Sequence, residues 1–287
     1  MGRGNCCCTP DYIKFGTYKR RSDHRVIQRY RCRNCHKSYS SASDDAAYNQ
    51  NKRQINHQIM MLLASNVSMR RIAILLHTTR KTVARKLIFL GGDCRRKLAK
   101  SAQSMSLVTD LQFDELQTIE HSKCKPLSAA VAVNARTREI LGFQVSSMPA
   151  TGHLAKISRQ KYGFRPDHRR HGLKALFKSI RPITSETARF LSDYCPFYAP
   201  VLKQIFPKAK HEQVLGDKAC VAGQGELKKA GKDPLFCINQ SFAMLRANVN
   251  RLIRCTWCTT KVPDRLSDHL AIYTYVHNTT LLKVKNA

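Results

Sequence analysis

Leu111 and Phe113 alternate with polar neighbours inside residues 107–116, the period-two pattern of a half-buried strand. Residues 127–133 and 139–145 repeat the apolar strand signal, separated by a polar turn at 134–138. Three successive strands with short connections predict an antiparallel meander. Upstream the period lengthens: Ile55, Ile59, Leu62 and Leu63 fall on one helical face. Ser68 is a good cap for a helix over 69–76, and His77-Thr78 makes a short turn. A second helix over 79–87 follows, with Gly91-Gly92 expected to stop it. Near the start, residues 12–18 and 25–30 alternate as strands. Downstream, an apolar stretch from Phe190 ends at Asp193 ahead of a helix expected over 197–205, and residues 236–254 carry a helical pattern.

The pattern breaks at the polar run 40–45 and at the basic, small-residue stretch 97–106. These breaks divide the chain into 1–45, 46–100 and 101–287. A length of 287 residues suits two domains and a small module, and 43% hydrophobic residues exclude global disorder. No apolar run approaches the roughly 18 residues of a membrane span. The opening Met1-Gly2-Arg3-Gly4-Asn5-Cys6 lacks the apolar core of a secretory signal, so an intracellular, cytoplasmic location is expected. In a reducing compartment the 12 cysteines read as metal ligands or small core residues.

Charge narrows the partner. Fifty Lys and Arg against 19 Asp and Glu give +31, which favours a polyanion, nucleic acid before membrane. Residues 1–100 alone hold 22 basic and 5 acidic groups. Between Ser101 and Glu120 the sign reverses: Asp110, Asp114, Glu115 and Glu120 occur with no Lys or Arg. From Lys156 to Arg181 nine basic residues accompany one Asp. An acidic island with basic flanks is what a metal-assisted phosphodiester enzyme needs.

Cys32 and Cys35 form a C-x-x-C, and Cys6, Cys7 and Cys8 cluster upstream across a hairpin-length segment. Cys32 and Cys35 with two of the upstream cluster, Cys6 and Cys8 or a strained neighbour choice involving Cys7, would supply the four soft ligands of a structural Zn²⁺ in a zinc ribbon. The helix pair over 69–87 reads as a helix-turn-helix, with Arg80, Lys81, Arg85 and Lys86 on its exposed side for phosphates and base edges. Asp110 and Glu120 read as strand-edge surface groups, and Trp257 as a core or interface residue.

Taken together, Gln28-Arg29-Tyr30-Arg31-Cys32-Arg33-Asn34-Cys35, the helix pair, Phe113-Asp114-Glu115-Leu116, Ser192-Asp193 and the stretch 245–261 around Arg251 and Trp257 resemble a DDE-type insertion-sequence transposase. The likeness is to the insertion sequence one group, with its zinc-ribbon head. It implies an α+β multidomain protein: a zinc ribbon (1–45), a helix-turn-helix DNA-binding domain (46–100) and an RNase H-like α/β catalytic domain (101–287). It also implies three carboxylates holding two Mg²⁺ (or Mn²⁺) ions about 4 Å apart. On the matching positions Asp114 and Asp193 are the first two ligands. The third stays open between Glu226, in a Gly-rich stretch 33 residues after Asp193, and Asn239, which stands where the family has Glu. Implied partners are double-stranded DNA, as terminal inverted repeats and target, and further copies of the chain on that DNA. No membrane is implied, and the implied place is on DNA in a prokaryotic nucleoid. The competing reading is a catalytically decayed, transposase-derived DNA-binding regulator. A zinc-ribbon RNA-binding protein fits the charge but leaves the acidic island unexplained.

Overall fold

A computed structural model describes residues 11–21, 23–215, 233–253 and 256–282. The chain divides into two compact units, Met1–Ile59 and Met60–Ala287. In the first, β1 (Tyr12–Lys19), β2 (Val26–Cys32) and β3 (Ser38–Ser40) form an antiparallel sheet in the order β1-β2-β3. Tyr39 stacks on Tyr30 at 5.0 Å between ring centroids and meets Tyr12 edge-on at 4.6 Å, which ties the three strands together. Helix α1 (Asn56–Leu63) spans the division between the units.

In the second unit, Ser68 caps α2 (Met69–Leu75), its side chain accepting from the Arg71 amide as expected. Thr79 caps α3 (Arg80–Ala102) in the same way through the Thr82 amide. A five-stranded mixed sheet follows, in the order β6-β5-β4-β7-β8. The expected meander is its antiparallel half: β4 (Val108–Glu120), β5 (Ser122–Asn134) and β6 (Ile140–Ser147). Helices α4 (Leu154–Tyr162) and α5 (Arg169–Ile180) lead to β7 (Thr184–Asp193), which pairs parallel with β4. Helix α6 (Tyr198–Ile205) then crosses to β8 (Lys210–Val214), parallel to β7. The unit closes with α7 (Phe236–Asn248) and α8 (Pro263–Val276).

The core lies between the sheet and helices α5 and α6. Leu111, Phe113, Ala130, Ala132 and Phe190 from the strands meet Leu173, Phe177, Val201 and Leu202. Helix α7 begins against β4 through Gln112, whose side chain donates to the Pro234 carbonyl (2.8 Å) and accepts from the Ile238 amide (3.0 Å). The architecture is therefore α+β, with eight α-helices and a mixed sheet among the described residues.

Several local expectations are corrected. Gly91-Gly92 does not end α3, which runs on to Ala102, through the break expected from residue 97. Gly91 instead lets α8 approach: a Cβ there would sit 2.7 Å from the Asp268 Cβ and 2.8 Å from its Cα. Lys86 is not on the exposed side of its helix. It is buried, because it falls three residues after buried Val83 and next to buried Leu87 on the inward stripe. The helical pattern from Phe236 stops at Asn248, where Val249 turns to extended backbone. Trp257 is fully exposed, so it is no core residue.

Candidate active site

The middle of β4 and the end of β7 bring the acidic residues together. The parallel pairing of β4 with β7 matches Gln112 to Leu191, and two residues further along each strand stand Asp114 and Asp193. Both therefore leave the sheet on the same side, close enough for the Asp193 charge to act on Asp114. Residues 79 positions apart in sequence share one site.

The surroundings of Asp114 are asymmetric. Its Oδ1 accepts from the Glu115 amide (2.7 Å) and from the Tyr198 hydroxyl (3.2 Å). Both donors sit on one oxygen, which fixes the carboxyl rotation and leaves Oδ2 without them. Burial, then repulsion from Asp193, pushes the Asp114 carboxyl up to about 7, against an ordinary 3.8. Asp193 is also raised, by burial, and its Oδ1 is a buried acceptor with no donor. Only a shared proton or a cation relieves such a pair.

Glu115 follows Asp114 but serves differently. Its Oε1 accepts from Ser128 Oγ (2.8 Å), and the Arg169 guanidinium lies 3.9 Å from Oε2. Burial raises its carboxyl, with Ser128 and Arg169 pulling the other way. Arg169 is itself held by Asp167 (2.6 Å) and lies over the Phe197 ring. Between β7 and β8, the buried Ser192 hydroxyl meets His211 Nε2 at 3.0 Å, and burial lowers the His211 pKa.

The donor set fits a hard divalent cation. Mg²⁺ is commonly held by one or two carboxylates, with water and substrate phosphate completing its shell. Asp114 Oδ2 and the orphaned Asp193 Oδ1 are oxygens of that kind. Among the described residues no third His, Cys, Asp or Glu completes a metal-holding group. Asn239 is exposed, and its amide donates to Asp233 Oδ2 (2.9 Å). No polar contact joins it to Asp114 or Asp193. Glu226 lies outside the described residues.

The remaining expected residues divide as follows. Arg80, Lys81 and Arg85 are exposed on the first turns of α3. Cys32 ends β2 in a tight turn: its amide donates to the Lys37 carbonyl (2.9 Å) and its carbonyl accepts from the His36 amide (3.0 Å). Cys35 lies in that turn, half-buried, while Cys6 and Cys8 lie outside the described residues. Glu120 is no loose edge group, since it pairs with Lys125 (2.7 Å) and Arg165 (3.2 Å). Sequence reasoning missed Tyr198, whose only signal is an aromatic residue at the first position of α6.

No protein family matches the sequence, and no curated protein is similar to it. Among solved structures, a chain of "Crystal structure of a pre-cleavage Mos1 transpososome" aligns over 80% of this chain and 77% of its own. The identity is 11% and the TM-score 0.23, a likeness too low to fix a fold or a function.

Proposed function

We infer that this chain is a DDE-type transposase, which cuts and rejoins DNA strands with divalent metal. One observation carries the reading: Asp114 and Asp193, distant in sequence, stand at neighbouring positions of adjacent parallel strands as a half-buried carboxyl pair, and Asp193 Oδ1 is buried with no donor. A surface carboxylate pair would spread apart, and a structural one would be met by Lys or Arg. Among the described residues no Lys or Arg forms an ion pair with either carboxyl group. The sheet order, an antiparallel meander whose first strand is extended on its open side by two parallel strands, supports an RNase H-like reading of residues 101–287. A bound Mg²⁺ or Mn²⁺ would activate the attacking oxygen and stabilise the leaving 3′ oxygen. Asp114 and Asp193 would hold it, Tyr198 and the Glu115 amide would keep Asp114 oriented, and Arg169 would keep Glu115 turned away from the metal.

The reading extends to DNA capture. Residues 46–100 act as a helix-turn-helix with Arg80, Lys81 and Arg85 facing DNA, and the well-formed caps at Ser68 and Thr79 support it. Residues 1–45 act as a zinc ribbon in which Cys32 and Cys35 are joined by Cys6 and Cys8. The substrates are the element's terminal inverted repeats and a target duplex, engaged by more than one copy of the chain. Glu226 is the preferred third carboxylate, since Asn239 brings no charge and is engaged with Asp233.

The test is strand cleavage on duplexes carrying the inverted repeats that flank the coding sequence. Asp114→Ala, Asp193→Ala and Glu226→Gln should each abolish Mg²⁺-dependent cleavage while DNA binding persists, and Asn239→Ala should cut normally. DNA binding without cleavage by the wild type in Mg²⁺ or Mn²⁺ would instead identify a decayed, regulatory descendant.

A further inference from the structure

Strand β7 ends at Asp193, but β4 continues for six residues beyond Asp114 to Glu120 before β5 returns from Ser122. At roughly 3.3 Å per residue this arm reaches ~20 Å past the carboxyl pair. Helix α4 is fastened to it at few points. The Ser158 hydroxyl donates to the Cys124 carbonyl (2.6 Å), and Ser158 is the buried residue of the helix. Just beyond the helix, Arg165 donates to Glu120, to the Pro126 carbonyl (3.3 Å) and to the Met148 carbonyl (3.1 Å). Glycines with positive φ, Gly152 (59°) and Gly163 (73°), bracket α4 and permit the abrupt turns at both ends.

This packing consumes Glu120, through Lys125 and Arg165, and leaves other cations outward. Lys123, Lys156, Arg159 and Lys161 are exposed, and none has a carboxylate partner among the described residues. Arg159 lies over the exposed Phe164 ring (6.0 Å) and Lys161 over Tyr162 (5.7 Å), which hold the two charges in place. We propose that this arm, through Lys123, Lys156, Arg159 and Lys161, is a docking surface for the phosphate backbone of duplex DNA leading into the carboxyl pair. It rests on the strand-transfer reading and adds the path of the DNA: ~20 Å of arm matches about six base pairs of duplex at 3.4 Å each. Charge complementarity selects the partner. A membrane-bound helix needs a continuous apolar face, whereas the exposed large apolar groups here are Ile157 on the helix and Phe164 past its end.

The test compares full-length protein with two four-alanine variants by titration of a mixed-sequence DNA duplex across a salt series. One variant replaces Lys123, Lys156, Arg159 and Lys161; the other removes equal charge elsewhere, at Lys178, Lys203, Lys208 and Lys210. Circular dichroism and thermal unfolding confirm that both fold. The arm variant should bind about tenfold or more weakly, with its log–log salt slope reduced by about 2–4, since each phosphate contact contributes about 0.9. The control should retain most of the wild-type slope. Equal losses in both variants, or no loss in the arm variant, would overturn the docking surface while leaving the enzyme reading intact. So would arm-dependent binding to anionic phosphatidylserine vesicles without arm-dependent binding to DNA. A wild type that binds no duplex DNA would overturn both.

Discussion

The Tyr198 hydroxyl donates to Asp114 Oδ1, the same oxygen that accepts the Glu115 amide. Tyr198 is buried at the start of α6, and burial together with the nearby carboxylates raises its own pKa, so it remains a donor at any working pH. Its bond favours the charged form of Asp114.

Replacing Tyr198 with Phe removes that donor and keeps the ring. Asp114 should then titrate higher, moving the acid limb of the cleavage rate upward by up to about one pH unit, as expected for a hydrogen bond to a charged group. The maximal rate should fall with DNA affinity unchanged. A pH–rate profile with an unmoved acid limb would make Tyr198 a packing residue only.

The carboxyl pair also makes stability depend on pH. Asp114 binds its proton more tightly in the folded chain, at about 7 against 3.8, so folding stability falls as pH rises between those values and stays low above them. Without divalent metal, Asp114→Asn should therefore stabilise the protein by about 1–3 kcal/mol at pH 8, a gain that shrinks on acidification and vanishes below about pH 4. Urea unfolding at several pH values measures it, and a gain independent of pH would contradict the coupling.

An opposite slope belongs to His269. It is wholly buried in α8, bonds the Leu63 carbonyl through Nε2 (2.8 Å), and has its pKa lowered by burial to about 4 from 6.5. The folded chain keeps it neutral, so its stabilising contribution is complete above pH 6.5 and is lost as pH falls toward 4. His269→Gln should flatten that acid limb in the same unfolding series, even though the variant is less stable at pH 7.

Adjacent glycines should behave oppositely. Gly91→Ala drives a methyl into the Asp268 backbone on α8 and should cost about 1–3 kcal/mol. At Gly92 a Cβ would come no nearer than 3.8 Å to a side-chain atom, an Arg96 nitrogen, so Gly92→Ala should be neutral or stabilise by up to about 1 kcal/mol through helix propensity. Comparing the two melting temperatures checks the α3–α8 packing, and similar losses for both would refute it.

This glycine contrast marks what sequence alone conveys. Period-two patterning and short turns made β4, β5 and β6 legible, because each pairs with its neighbour in the chain. The Ser68 cap was legible because capping is local. The parallel join of β4 to β7 is not local: nothing within residues 107–116 specifies which later strand lies beside them, so the aspartate pair was reached through family resemblance rather than patterning. Gly91 reads as a helix stop until α8 is seen against it. Lys86 was misread although the signal was present, since Val83, Leu87 and Leu90 already define the buried stripe that contains it. Tyr198 and its bond to Asp114 join positions 84 residues apart and leave no trace in spacing.

The carboxyl pair as a divalent-cation site is the central claim, and its most direct measurement needs no knowledge of the DNA ends. Mn²⁺ binding to the full chain, followed by electron paramagnetic resonance of the free ion and by thermal shift, should show stoichiometric uptake with a rise in melting temperature at pH 8. Asp114→Asn and Asp193→Asn should each abolish both effects. Stoichiometric Mn²⁺ uptake that survives both substitutions, or none by the wild type, would contradict the claim.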